Sequence, residues 1–233
     1  MALTLVLWDI DGTLISTGPI AGAVYPVAFE LLTGRAPAQL VEYNGRTELA
    51  TMDDLLRSND EPVPDAERIC AAIEAAMRSK QDDFRAASRA LPGAVAALGA
   101  LQAQPAVVQS LLTGNIRSSA LVKLQAFGLD GFVDFDAGGY GSDDLVRSRL
   151  VPIAQDRAGA RRGERFDVDN TVLIGDTVRD VEAAREGGAR MIAVATGAET
   201  ADRLQAARPD ALLADLRNTA ALLRAVLGSG EKG

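Results

Sequence analysis

The chain contains no histidine. That removes Ser–His and Cys–His nucleophile pairs and histidine-ligated zinc, and leaves a carboxylate, Lys, Tyr or Cys as any general acid or base. Cysteine occurs once, as Cys70, so no internal disulfide can form and nothing suggests a thiolate metal site. No apolar run approaches the length of a membrane span, so no membrane association is expected. The N-terminus lacks a basic region before its apolar stretch and acids follow at once, so it does not read as a signal peptide, and a cytoplasmic location is expected. Basic residues are outnumbered 24 to 32, for a net charge of −8, which argues against a nucleic-acid partner. An acidic protein can still handle an anion where a metal ion and backbone N–H groups supply local positive charge.

What is present is 233 residues, 48% hydrophobic and 24% charged, enough for one large globular domain or one domain with an insertion. The stretch Leu3 to Thr13, LTLVLWDIDGT, stands out. Leu3 to Trp8 is apolar apart from Thr4, short enough for a strand buried on both faces. It runs into Asp9 and Asp11, two carboxylates one residue apart, then Gly12 and Thr13. Parallel sheets bind ligands at the carboxyl ends of their strands, and these acids occupy such an end.

From about Ser16 to Ala90 no good strand follows. Ala21 to Leu32 reads as a helix stopped at Gly34, Thr47 to Leu56 as a second, and Asp65 to about Ala87 as a third after Pro64. Tyr43-Asn44-Gly45-Arg46 is a turn between the first two and carries one isolated cation. Roughly 75 residues of helix behind a first strand make a separate small domain rather than a crossover. The expected division is a core of residues 1–15 and 89–228, an inserted helical cap of 16–88 and a flexible tail of 229–233.

Beyond Leu91, strand and helix alternate. Pro92 opens a helix to about Ala103, and Ala106 to Leu112 is a strand ending in Thr113-Gly114-Asn115. Ser118 to Phe127 is a helix, Phe132 to Phe135 a short strand, and Leu145 to Ala158 a helix followed by a basic surface loop. Thr171 to Ile174 is a strand ending in Gly175-Asp176-Thr177, with a helix Arg179 to Glu186 behind it. A strand Met191 to Ala195, a helix from Thr200, a strand Ala211 to Ala214 and a helix Thr219 to Leu227 complete the pattern. This is an α/β fold, a Rossmann-like parallel sheet with helices on both faces.

Three strand ends therefore carry polar groups on one edge of the sheet. Asp9 and Asp176 there can share a hard cation such as Mg²⁺. Thr113 offers a hydroxyl, and Gly114 and Asn115 offer backbone N–H groups to an anion. Asp180, four residues past Asp176, reaches the same face of a helix start.

With DIDGT at Asp9 to Thr13, LLTGN at Leu111 to Asn115 and LIGDTVRD at Leu173 to Asp180, the chain resembles the haloacid dehalogenase superfamily, mostly Mg²⁺-dependent phosphohydrolases. The all-helical insertion after the first motif resembles one large subgroup. The resemblance implies Asp9 as the nucleophile, forming an aspartyl-phosphate and binding Mg²⁺. It implies Asp11 as acid to the leaving alcohol and base to water, with its backbone carbonyl on the metal. Thr113 and the N–H of Gly114 or Asn115 would hold phosphoryl oxygens. Asp176 would ligate the metal, and Asp180 would support it directly or through water. The superfamily usually adds a lysine after the third strand. Of the three lysines here, Lys80, Lys123 and Lys232, Lys123 falls mid-helix and too early. Arg147 and Arg149 stand in that place, with Arg147 ranked first.

The expected activity is hydrolysis of a small phosphorylated metabolite, phosphoglycolate being one such ester by resemblance. Asp11 argues against halide displacement, whose relatives lack it, and the early cap has no lysine of the kind that phosphonate cleavage uses. A phosphosugar mutase is the enzymatic alternative, and a non-catalytic binding protein the second class. Arg46, in the cap turn, is the candidate reader of an acidic leaving group.

Overall fold

The computed structural model describes residues 3–18 and 20–228; the tail expected to be flexible lies outside them. The chain begins with β1 (Thr4–Trp8), a short β2 (Ile15–Ser16), and four helices, α1 (Ile20–Thr33), α2 (Glu48–Ser58), α3 (Ala66–Ser79) and α4 (Gln81–Ala87). Then come β3 (Arg89–Ala90), α5 (Ala94–Gln102), β4 (Val107–Thr113), α6 (Arg117–Gln125), β5 (Gly139–Tyr140) and α7 (Leu150–Arg162). The last elements are β6 (Thr171–Gly175), α8 (Val178–Gly187), β7 (Arg190–Val194), α9 (Ala201–Ala206), β8 (Ala211–Leu213) and α10 (Thr219–Leu227).

Six strands form one parallel sheet in the order β5-β4-β1-β6-β7-β8. The chain builds out on one side of β1 with β4 and β5, then returns to build on the other with β6 to β8. Connections diverge on either side of β1, which opens a crevice at its carboxyl end. The period-2 alternation of β1 sets the layers. Leu5 and Leu7 join a core with Leu150, Val151, Val181 and Ala184; Val6 and Trp8 join another with Leu98, Ala120, Leu124 and Leu222. Trp8 is buried, and its indole N–H donates to Gln109 Oε1 at 3.0 Å while Gln109 Nε2 donates to the Leu98 carbonyl at 3.0 Å. A polar residue inside β4 thus satisfies the one polar atom of the largest core side chain.

The four inserted helices pack on one another and share the second of these cores, with Met52, Leu55, Ile73, Met77 and Phe84 contributing. Their root is an antiparallel ribbon pairing Ile15 with Ala90 and Ser16 with Arg89. Two-residue strands carry too little periodicity to announce themselves, so the sequence shows only helices there.

Three expected elements are corrected. The third inserted helix breaks at Lys80, where the Ser79 hydroxyl donates to the Ala76 carbonyl at 2.7 Å and competes with the helical ladder. Phe132 to Phe135 is not a strand but links two 3₁₀ turns, Asp130–Phe132 and Phe135–Ala137, the Asp134 side chain capping the second at the Asp136 N–H. The edge strand is instead β5. Finally, α7 starts at Leu150, after a 3₁₀ turn Arg147–Arg149, and runs on to Arg162, where left-handed Gly163 ends it. Much of the expected basic loop is therefore helix, with Arg157 and Arg161 paired to Asp143 and Asp134.

Candidate active site

The carboxyl end of β1 leaves Asp9 buried, and Gly12 then turns the chain back with φ +89°, its N–H donating to the Ile15 carbonyl at 2.8 Å. A Cβ at Gly12 would lie 2.3 Å from Asp176 Oδ2, so both the backbone sign and the close approach require glycine. Thr13 completes the turn, its hydroxyl donating to Asp176 Oδ1 at 2.8 Å. From β6, Asp176 and Asp180 come to the same place. Asp180 is fully buried and forms a capping box with Thr177 at the start of α8.

One oxygen from each of Asp9, Asp176 and Asp180 lies within 4.8 Å of the others. Crowding and burial act against ionisation of Asp9 and Asp176. Burial pushes Asp9 up to about 7, with Arg147 opposing and the Asp180 and Asp11 charges adding to the rise. Burial and the charges of Asp9 and Asp180 hold Asp176 well above the ordinary carboxylate range, against the Thr13 hydroxyl and Arg147. An oxygen-only donor set with surplus negative charge fits a hard divalent cation.

Arg147 is the cation among these acids. Its Nη2 lies 2.9 Å from Asp9 Oδ1 and 2.5 Å from Asp180 Oδ1, and its Nε donates to Asp180 Oδ1 at 3.0 Å. Arg149 is not at the site: its side chain is 68% exposed and pairs with Asp144. The 3₁₀ turn that delays α7 separates the two, pointing one inward and the other to solvent.

The turn after β4 supplies the other wall. Thr113 is buried, and its hydroxyl oxygen accepts from the Asn115 side chain at 2.7 Å and the Asn115 N–H at 3.3 Å. Of the two N–H groups expected to hold phosphoryl oxygens, that of Asn115 is therefore engaged within its own turn. A Cβ at Gly114 would lie 2.0 Å from the Arg46 carbonyl oxygen and 3.0 Å from Arg147 Nη1. Only glycine lets the inserted loop and the guanidinium close on this turn.

Two buried charged residues of this site escaped the sequence reading. Lys123, set aside as too early, reaches back along α6 and donates to Asp11 Oδ1 at 2.8 Å, Asp11 Oδ2 at 2.7 Å and Asn115 Oδ1 at 2.6 Å. Asn115 also donates to Asp11 Oδ2 at 2.7 Å, so the second acid is held from both sides. The signal was available, because Lys123 falls on the apolar stripe Ile116, Ala120, Leu124, where a solvated lysine does not belong. Glu48 heads the buried stripe of α2 in the same way. Its Oε2 accepts from the Ile116 N–H at 2.8 Å, and its own N–H donates to the Gly114 carbonyl at 2.7 Å. Thr47 Oγ1 donates to the Leu145 carbonyl at 3.0 Å, and Arg179 donates to the Asn44 carbonyl at 2.6 Å. Residues 44–48 are thus docked on the strand-end loops, and a cavity of about 300 Å³ lies beneath them.

The buried Glu48 carboxyl is expected to make this docking pH-dependent. Burial pushes its carboxyl up to about 7, against Lys123 and the Ile116 N–H, with Asp11 adding to the rise. Unfolded, the same group titrates near 4.5. Between these values the folded chain holds a proton that the unfolded chain has released, so stability falls as pH rises through this window. Glu48→Gln keeps an acceptor for Ile116 and removes the titration. The variant is expected to exceed the parent at pH 8 by on the order of 2–3 kcal/mol, with little difference at pH 4.5. Melting curves at both pH values check this; equal shifts at the two would disprove it.

Arg46 lines the cavity, but its Nη2 pairs with Asp54 Oδ2 at 2.6 Å and donates to the Ala50 carbonyl at 3.3 Å. The expected free cation is a paired one.

A doubly wound sheet with a buried carboxylate cluster at its strand ends, covered by inserted helices, defines a class of α/β hydrolytic enzymes. The chain belongs to the haloacid dehalogenase-like hydrolase family, whose model matches residues 6–185. It is 28% identical over 224 residues to the probable phosphatase IndB of Dickeya dadantii, spanning 90% of this chain and 88% of that protein. It is 26% identical over 201 residues to a phosphoglycolate phosphatase of Nitrosospira multiformis, spanning 84% and 85%. A hydrolase from Pseudomonas syringae shares the fold with a TM-score of 0.69 at 22% identity, over 94% of this chain and 97% of that one. CbbY from Rhodobacter sphaeroides, solved in complex with phosphate, also has a TM-score of 0.69, at 14% identity over 93% and 96%. Among the described residues no helix is long and apolar enough to cross a membrane.

Proposed function

We propose that this phosphatase is a Mg²⁺-dependent phosphohydrolase of a small phosphorylated metabolite, acting through an aspartyl-phosphate on Asp9. The observation that carries the reading is Asp9 itself, buried at the end of β1 between the Arg147 guanidinium and the carboxylates of Asp176 and Asp180. Those three acids, with the Asp11 backbone carbonyl, would hold the metal, which when bound neutralises charge on the transferring oxygens.

Asp9 attacks phosphorus through a carboxylate oxygen as the bond to the leaving oxygen breaks. Asp11 is the group that gives that oxygen a proton. Water then attacks the phosphoryl group as its bond to Asp9 breaks, Asp11 takes a proton from that water, and inorganic phosphate leaves. Thr113, the Gly114 N–H and Arg147 hold the phosphoryl oxygens through both steps. Residues 16–88 act as a cap over the core of 1–15 and 89–228, closing through the docked loop 44–48 and excluding water.

Phosphate release from a broad panel of phosphate esters, with Mg²⁺ and with a chelator, tests the reading. No metal-dependent turnover across the panel would overturn it, and an isomerised sugar phosphate in place of free phosphate would make the enzyme a mutase. Asp11→Ala is expected to lower kcat by roughly 10²–10⁴ for alkyl esters and by much less for an aryl phosphate, whose leaving group needs no proton. Equal losses on both would contradict the acid role.

A further inference from the structure

We infer that the leaving-group end of the cavity selects an uncharged, hydroxyl-bearing group and disfavours a carboxylate. This rests on the phosphatase reading and narrows its substrate class. Among the described residues three cations line the cavity, Arg46, Lys123 and Arg147. Each is held by acids of the chain itself: Arg46 by Asp54, Lys123 by both oxygens of Asp11, and Arg147 by Asp9 and Asp180. Lys123 also spends a donor on Asn115 Oδ1, and its side chain is only 6% exposed.

Against them stand four carboxylates on the same lining, Asp9, Asp11, Glu48 and Asp176. A divalent ion would roughly balance a phosphoryl dianion added to this set. A second anion on the leaving group would then enter a cavity whose lining cations, among the described residues, are each already paired with an acid, a costly placement for an unpaired charge. The same lining also carries uncharged groups of another kind. Tyr25 and Tyr43 pack with ring centres 5.4 Å apart and ring planes tilted by 45°, and Ser16 and Thr17 also line the cavity. Hydroxyls and aromatic rings bind a short polyol by hydrogen bonds and apolar contact. A cavity of about 300 Å³ admits such a group only if it is small.

The test compares kcat/KM for glycerol phosphate, phosphoglycolate and an aryl phosphate at pH 8 with saturating Mg²⁺, in the parent enzyme and in Arg46→Ala. Glycerol phosphate is expected to exceed phosphoglycolate by tenfold or more, and Arg46→Ala to change that ratio by less than threefold. A smaller preference, a preference for phosphoglycolate, or a loss in Arg46→Ala confined to phosphoglycolate would overturn the inference while leaving the phosphatase standing. Turnover of none of the three would instead overturn the phosphatase reading, and the inference with it.

Discussion

Asp9→Asn is expected to abolish phosphate release, by roughly 10⁴-fold or more, while leaving the protein folded. An amide is isosteric with the carboxylate but cannot accept a phosphoryl group under these conditions, and it is a poorer ligand for a hard cation. The stability side of the expectation follows from Asp9's own titration. Its carboxyl is raised from 3.8 to about 7 in the folded chain. The folded protein therefore holds a proton between those values that the unfolded chain has lost, and stability falls as pH rises through the window. Above it the parent carries the full cost of an ionised, crowded acid, which asparagine lacks. Metal-free Asp9→Asn should melt no lower than the metal-free parent at pH 8. Purified Asp9→Asn that retains substantial phosphatase activity would end the assignment of Asp9 as nucleophile, and one that melts far below the parent would end the account of its electrostatics.

The site is legible where function is carried by residues on strand ends and illegible where it depends on which way a helix faces. Asp9, Asp176 and Thr113 each stand at the end of a short, mostly apolar run, and the end of that run marks both the strand and its polar terminus. Parallel pairing then places them together without further information. Lys123 and Glu48 needed a different inference. Their neighbours in sequence are unremarkable, and only the 3.6-residue stripe shows that each is buried and must have a partner. The partners, Asp11 for one and the Ile116 N–H for the other, are distant in sequence and come from packing. Arg147 and Arg149 show the same boundary. Two residues apart, they lie on opposite sides of a helical turn, and the short 3₁₀ segment that decides which faces inward leaves no mark in the hydrophobic pattern. The ribbon of β2 and β3 was equally hidden, because it rests on two backbone pairs and not on side-chain periodicity.

Arg147→Met is expected to damage both activity and stability, in contrast to Arg149→Met. The Arg147 side chain is 9% exposed and bridges Asp9 and Asp180, themselves buried. Burial works against its charge, but the charges of Asp180 and Asp9 outweigh it and hold the guanidinium firmly protonated. Methionine fills much of the same volume and leaves two buried carboxylates facing one another without a cation. Removing one partner of a buried ion pair costs about 3–5 kcal/mol, and protonation of Asp9 recovers part of it at low pH. The variant should therefore melt well below the parent at pH 8 and closer to it at pH 5. Loss of an oriented donor to the phosphoryl oxygens adds a drop in kcat of about 10²–10³. Arg147→Lys restores the charge without the fork, so it should recover stability more fully than rate. Arg149→Met removes only an exposed pair with Asp144, worth about 0–1 kcal/mol, and should leave kcat within about twofold. Equal losses in Arg147→Met and Arg149→Met, or a melting deficit in Arg147→Met that does not shrink as pH falls, would mean that the cation between Asp9 and Asp180 does not organise this site.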